Sequence, residues 1–137
     1  MVQPIRLNEN YHVSPQIELE DIKKLADQGF SKIICNRPDD EIPTELHSEY
    51  MAIAAKEAGI EFDILPLTHQ TMTPENIAKQ GDLIDTATGP ILAYCASGTR
   101  CTVVWALWQS GKMSADDIIQ TAMEAGYNIE GLRNALG

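Results

Sequence analysis

Between residues 31 and 109 the chain changes three times from a short apolar stretch suited to a β-strand to a longer stretch suited to a helix. Residues 31–36 hold Ile33, Ile34 and Cys35 almost without interruption, as in a strand covered on both sides. Residues 44–58 carry Leu46, Tyr50, Ile53 and Ala54 at helical spacing and close at Gly59. A strand is expected over 61–67. Thr73, Pro74, Glu75 and Asn76 then make a capped helix start, and that helix runs to about Thr88. The uncharged run 91–94 is the third strand, and residues 101–109 form a helix without any charge, which must be buried on nearly every side. Strands and helices alternating at this spacing imply an α/β fold. Its central sheet is mostly parallel, with right-handed crossovers and helices on both faces.

The flanks fit the same frame. Residues 5–7 and 11–13 surround the turn-forming Asn8-Glu9-Asn10 and read as a hairpin. Residues 17–28 place Ile17, Ile22, Leu25 and Ala26 on one helical face, with Gly29 at the stop. Ser114, followed by Ala115-Asp116-Asp117, caps a helix that ends near Gly126, and 128–136 makes one further short helical turn. No repeat, low-complexity tract or linker divides the chain, so residues 1–137 are expected to form a single domain around one core.

Hydrophobic residues at 44% and charged residues at 22% are the balance of a folded globular chain, which argues against disorder. The net charge of −10 repels phosphate backbones and anionic lipid, so neither nucleic acid nor a membrane surface is an expected partner. No apolar run approaches the ~18 residues that cross a bilayer. The start, MVQPIRLNEN, lacks the basic-then-apolar pattern of a signal peptide. Three widely spaced cysteines, Cys35, Cys95 and Cys101, are not a disulfide framework, and a reducing cytoplasm is expected. His12 and His47 have no ligand-like spacing, and no G-x-G-x-x-G or Walker pattern is present. No metal or other cofactor is expected.

In an open parallel sheet, ligands bind beyond the carboxyl ends of the strands. Three loops leave from those ends here: one with Arg37, one with His69, and one beginning at Cys95. The last is the most informative. A strand runs into Cys95-Ala96-Ser97-Gly98-Thr99-Arg100 and directly into the buried helix. Gly98 lets the short loop turn its N–H groups inward as an anion nest formed by residues 96–99. The helix start adds partial positive charge, and Arg100 adds a permanent one. Each of these favours a thiolate at Cys95, so Cys95 is expected to be the nucleophile and Arg100 its anion-binding partner. Arg37 is a second candidate clamp, or else pairs with Asp39 or Asp40. Cys35, Trp105 and Trp108 are expected in the core. Cys101 either resolves a bond formed on Cys95 or is a small buried residue.

The loop resembles those of rhodanese-type sulfurtransferases (Cys-x-x-Gly-x-Arg) and, one residue shorter, those of cysteine-dependent phosphatases. Across nearly its full length the chain resembles the phosphatase-like domain at the N-terminus of the β-lactamase-hydrolase-like (Blh) proteins. The stretches that carry this are His12-Val13-Ser14-Pro15-Gln16, Ile33-Ile34-Cys35-Asn36-Arg37-Pro38-Asp39, the 61–67 strand, and Tyr94-Cys95-Ala96-Ser97-Gly98-Thr99-Arg100. The resemblance implies a tyrosine/dual-specificity-phosphatase-like fold, with activity either as a phosphatase-like hydrolase or as a sulfurtransferase of persulfide metabolism.

Four departures bear on that choice. Phosphatases of this fold place five residues between Cys and Arg, and here there are four, 96–99. Tyr94 replaces the usual preceding His, and Cys101 replaces the Ser or Thr that follows the arginine. The loop that usually carries an acidic Asp reads Thr68-His69-Gln70-Thr71-Met72, which leaves His69, or Asp39 or Asp40 reaching in from the Arg37 loop, as candidate acids. A smaller loop and a missing carboxylate favour sulfur: a persulfide carried on Cys95, a small anionic or sulfur-bearing substrate, and a partner persulfide-processing enzyme. The alternative is a phosphatase-like hydrolase with a phosphocysteine intermediate. A second alternative is a non-catalytic anion- or partner-binding module.

Overall fold

Alternate residues of the central strands point to opposite sides of one sheet, and that alternation organises the molecule. In the computed structural model, which describes residues 2–136, five strands lie in the order β1-β2-β5-β3-β4. They are β1 (Ile5–Arg6), β2 (Tyr11–Ser14), β3 (Lys32–Cys35), β4 (Glu61–Ile64) and β5 (Ile91–Tyr94). All neighbours are parallel except β1 with β2, the hairpin expected around Asn8. The Asn8 side-chain oxygen accepts from the N–H groups of Asn10 and Tyr11, which closes that turn.

Ile33, Cys35, Leu92 and Tyr94 face one layer, where they meet Ile22 and Leu25 of α1 (Leu19–Asp27) and Met51 and Ala55 of α2 (Ser48–Ala58). Ile34, Ile91, Ala93 and Cys95 face the other. There they pack on Trp105 and Ala106 of α4 (Thr99–Gln109), on Ile118 and Ala122 of α5 (Ala115–Glu124), and on Leu136 of the short α6 (Arg133–Leu136). Between β4 and β5 lies α3 (Pro74–Asp85), capped by Thr73, whose side chain accepts from the Asn76 N–H. A parallel sheet with helices on both faces is therefore observed as expected. The uncharged helix is buried at Cys101, Val104, Trp105 and Ala106, and no helix among the described residues is long and apolar enough to cross a membrane.

Two expectations fail in detail. The buried face of α2 is not Tyr50 and Ile53, which are 43% and 56% exposed, but Met51 and Ala55. Thr44–Leu46 forms a separate 3-10 turn, His47 is extended, and the α-helix starts only at Ser48. Leu46 is thus off the helix and cannot set its phase. The strand expected over 61–67 pairs only as Glu61–Ile64. The chain beyond still tracks β3, with the N–H groups of Leu65 and Leu67 donating to the carbonyls of Cys35 and Asn36. Those two bonds bring the loop after β4 to the same rim as the loop after β3.

Candidate active site

Cys95 follows β5 directly, and α4 begins at Thr99, two residues earlier than its lack of charge indicates. The loop is therefore only three residues, Ala96 to Gly98. Its backbone is turned so that carbonyls point away from the Cys95 sulfur and N–H groups point toward it. The Ala96 carbonyl accepts from the Gln16 N–H, and the Gly98 carbonyl from the N–H and hydroxyl of Thr102 at 3.0 and 2.9 Å. The Ser97 carbonyl accepts from the Tyr127 hydroxyl at 2.9 Å. Gly98 sits at φ +93°, which L side chains rarely adopt, and its N–H donates to Cys95 Sγ at 3.1 Å.

This geometry pushes the Cys95 thiol down to about 5. The largest cause is the Cys101 thiol, which donates to the Cys95 sulfur, and the N–H groups of Cys101, Ser97 and Gly98 add to it against the opposing effect of burial. Cys101 itself is pushed up, first by burial and then by Cys95, so it stays protonated and serves as the donor. Cys101 is fully buried, as expected of a small residue at this position, and it neighbours Cys95. A buried polar chain braces the start of α4 from below. The Tyr11 hydroxyl donates to the Cys101 carbonyl at 2.8 Å and accepts from Gln80, which is paired in turn with Asn36.

The rim is made differently. Arg100 donates from Nη1 to Glu41 Oε2 at 2.8 Å, from Nη2 to Glu41 Oε1 at 2.7 Å, and from Nη1 to the Leu67 carbonyl at 2.9 Å. Arg37 reaches the same carboxylate from Nε at 3.3 Å and donates to Gln16 Oε1 at 3.2 Å. The fork of Arg100 holds the Glu41 carboxyl below the usual carboxylate range, with Arg37 a lesser cause. Arg37 therefore pairs with Glu41 and not with Asp39 or Asp40. The Asp39 carboxylate accepts from the Ser48 N–H and hydroxyl at 2.8 and 3.0 Å, committed to the start of α2. His69 is exposed in a 3-10 turn, two residues beyond the carbonyl that Arg100 holds. Ala96, Ser97 and Thr99 are exposed, whereas Cys95 is wholly buried.

Cys95, Arg100, residues 96–99 and Arg37 are thus brought together at one rim. Glu41 and Tyr127 were not among the sequence candidates. Glu41 was legible only as one of several acids in a polar loop, and Tyr127 stands 30 residues from the carbonyl it grips.

The family described as beta-lactamase hydrolase-like protein, phosphatase-like domain, matches residues 5–112. A beta-lactamase hydrolase-like protein of Agrobacterium fabrum is 28% identical over 130 residues, 93% of this chain and 30% of that protein. The chain thus spans about 30% of the length of the curated relatives it matches. Among solved structures, a candidate phosphatase of Neisseria meningitidis is 34% identical, covers 96% of this chain and 94% of its own, and superposes with a TM-score of 0.85. A kinase-associated phosphatase, solved with its catalytic-site cysteine replaced by serine, is 14% identical and covers 99% of this chain and 91% of its own. Its TM-score of 0.71 speaks for the fold alone. The tyrosine/dual-specificity-phosphatase-like architecture is accordingly the observed one.

Proposed function

The chain belongs to the family of phosphatase-like domains of beta-lactamase hydrolase-like proteins, and from that premise we propose that it is a cysteine-dependent phosphomonoester hydrolase. The observation that carries this reading is the Gly98 N–H donating to Cys95 Sγ at 3.1 Å at the start of the helix that bears Arg100, an arrangement that pushes the Cys95 thiol toward the thiolate. The Cys95 thiolate attacks phosphorus, forming the S–P bond as the ester P–O bond breaks. His69, on the loop whose Leu67 carbonyl Arg100 holds, gives a proton to the departing oxygen. Water then attacks the phosphocysteine, returns a proton to His69, and releases phosphate and thiolate. Arg100 and the loop N–H groups bind the equatorial oxygens throughout.

With Cys95 at 0% exposure, a phosphoryl group meets the sulfur only after a neighbouring side chain moves. The Glu41–Arg100 pair is the mobile element in this reading, because an incoming dianion competes with the carboxylate for the same fork. A short loop and an absent carboxylate favour persulfide chemistry at the level of sequence. Membership of a phosphatase-like family and likeness to phosphatases support the hydrolase over the sulfurtransferase.

Hydrolysis of p-nitrophenyl phosphate is the test. Wild type turns it over and yields a phosphocysteine on acid quench, and Cys95→Ser and Arg100→Ala each lower kcat by at least about a thousandfold. Turnover surviving in Cys95→Ser sinks the proposal. So does transfer of one sulfur from thiosulfate to Cys95 with no ester cleavage, which restores the persulfide reading. Anion-dependent thermal stabilisation with neither activity leaves a binding module.

A further inference from the structure

The chain from Met113 onward lies outside the residues that the family match covers, 5–112, yet one of its side chains touches the active loop. Tyr127 follows Gly126 at the end of α5, its N–H donating to the Ala122 carbonyl at 2.9 Å and its ring packed on the core that holds Cys95. From there its hydroxyl reaches the Ser97 carbonyl.

That carbonyl and the Gly98 N–H belong to one peptide unit. In a planar trans peptide the C=O and the N–H point in opposite directions. A donor that holds the Ser97 carbonyl outward therefore holds the Gly98 N–H inward, where Cys95 Sγ lies 3.1 Å away. The preceding peptide is fixed in the same sense by main chain, the Gln16 N–H on the Ala96 carbonyl. For the peptide between Ser97 and Gly98 the outward anchor is a side chain.

Gly98 carries a second mark of the same contact. A Cβ there would fall inside the Tyr127 hydroxyl, so the position excludes a side chain for the sake of the hydroxyl as well as for its φ of +93°. The bond to Ser97 and the close approach at Gly98 both place the tyrosine hydroxyl against one peptide plane.

We propose that Tyr127 is a positioning residue of the active loop, which sets the peptide between Ser97 and Gly98 so that its N–H faces the Cys95 sulfur and, during turnover, an oxygen of the bound anion. This rests on Cys95 being the nucleophile. A tyrosine that merely fastens the C-terminal segment to the loop would leave the sulfur unaffected when its hydroxyl is removed.

The experiment is a thiolate titration by absorbance near 240 nm on wild type and Tyr127→Phe, each referenced to its Cys95→Ser counterpart. The titratable and charged groups that interact with Cys95 are Cys101, Arg100, Tyr11, Cys35 and Tyr127; the first four are retained in both proteins, and burial pushes the Tyr127 hydroxyl up, so its removal takes away no charge in the range of the titration. Losing one amide hydrogen bond to the sulfur raises the Cys95 midpoint by about half to one pH unit. The Gly98 amide, followed by NMR hydrogen exchange, exchanges faster in Tyr127→Phe while the amides of β5 do not. Orthovanadate affinity drops about three- to tenfold. An unchanged midpoint with an unchanged Gly98 amide overturns the proposal.

Neither titration nor exchange requires turnover. If no phosphate ester is hydrolysed but the midpoint moves, the hydrolase reading falls and the role of Tyr127 stands. If the ester is hydrolysed and the midpoint stays, the reverse holds. Because Phe keeps the ring in the core, folding is not at stake in the variant; Tyr127→His, whose ring can again present a donor, recovers part of the shift.

Discussion

Around Cys95 the partners are main-chain N–H groups and one buried thiol. Around Arg100 they are a carboxylate whose side chain is 32% exposed and a single carbonyl. The first set is held by the ends of β5 and α4 and by the Tyr127 hydroxyl, and water reaches it poorly, so its effect on the sulfur is large and insensitive to salt. The second consists of long side chains near solvent, where an ion pair is worth little and is screened. In the proposed reaction the sulfur is prepared in advance, whereas the Arg100 fork starts out paired with Glu41 and has to be released by the incoming anion.

The sharpest way to break this contrast is at Gly98. Gly98→Ala forces a side chain at φ +93° and into the Tyr127 hydroxyl, so the N–H loses its aim. We expect kcat on p-nitrophenyl phosphate to fall at least about a hundredfold, as when one oxyanion donor is removed. In the double variant with Tyr127→Phe the two losses should be less than additive, because they act on one peptide; full additivity would separate them. Next comes Cys101. Cys101→Ala removes the largest cause of the lowered Cys95 midpoint, and an absorbance titration should place it more than one unit above 5. Cys101→Ser, which keeps a donor, should restore most of it. A midpoint that ignores both changes would shift the credit to the backbone alone.

The same lowered midpoint has a consequence for stability. Between about pH 5 and the ordinary thiol value of about 8.5, the unfolded chain holds a proton on Cys95 that the folded one does not. Folding stability from this group is therefore complete above the higher value and is lost as pH falls through about 5. The urea midpoint should rise with pH across that range more steeply in wild type than in Cys95→Ser, and parallel pH dependences would contradict the ionised sulfur.

The rim should give the smallest effect, in the opposite sense. Glu41→Gln removes the competing charge while keeping the shape, so orthovanadate inhibition should tighten about two- to fivefold, in line with a partly exposed pair. The gain should shrink in high salt. Weaker inhibition instead would mean that Glu41 aims Arg100 and does not compete for it.

Much of this site is legible in the sequence because its strongest features are local. Cys95, Gly98 and Arg100 lie within six residues, between an apolar strand and an uncharged helix, and that order alone makes a nest with a cysteine at its floor. The sheet is legible for the same reason: strand periodicity and capping depend on neighbours in the chain. Where local signals compete, reading fails. The 44–46 turn before α2 has helical composition, but the Asp39 carboxylate, held on the preceding loop, starts the helix at Ser48.

The sequence by itself determined the kind of fold and the rim at which Cys95, Arg100 and Arg37 gather. Only the tertiary structure decided that Arg37 and Arg100 share Glu41 and that Asp39 serves a helix. Only it brought Tyr127 over the loop to hold one peptide plane. Those partners are 59 residues apart for Arg100 and Glu41, and 30 for Tyr127 and Ser97. Nothing in a local pattern encodes which distant side chain will meet a given backbone group; that is settled when the two layers close on the sheet.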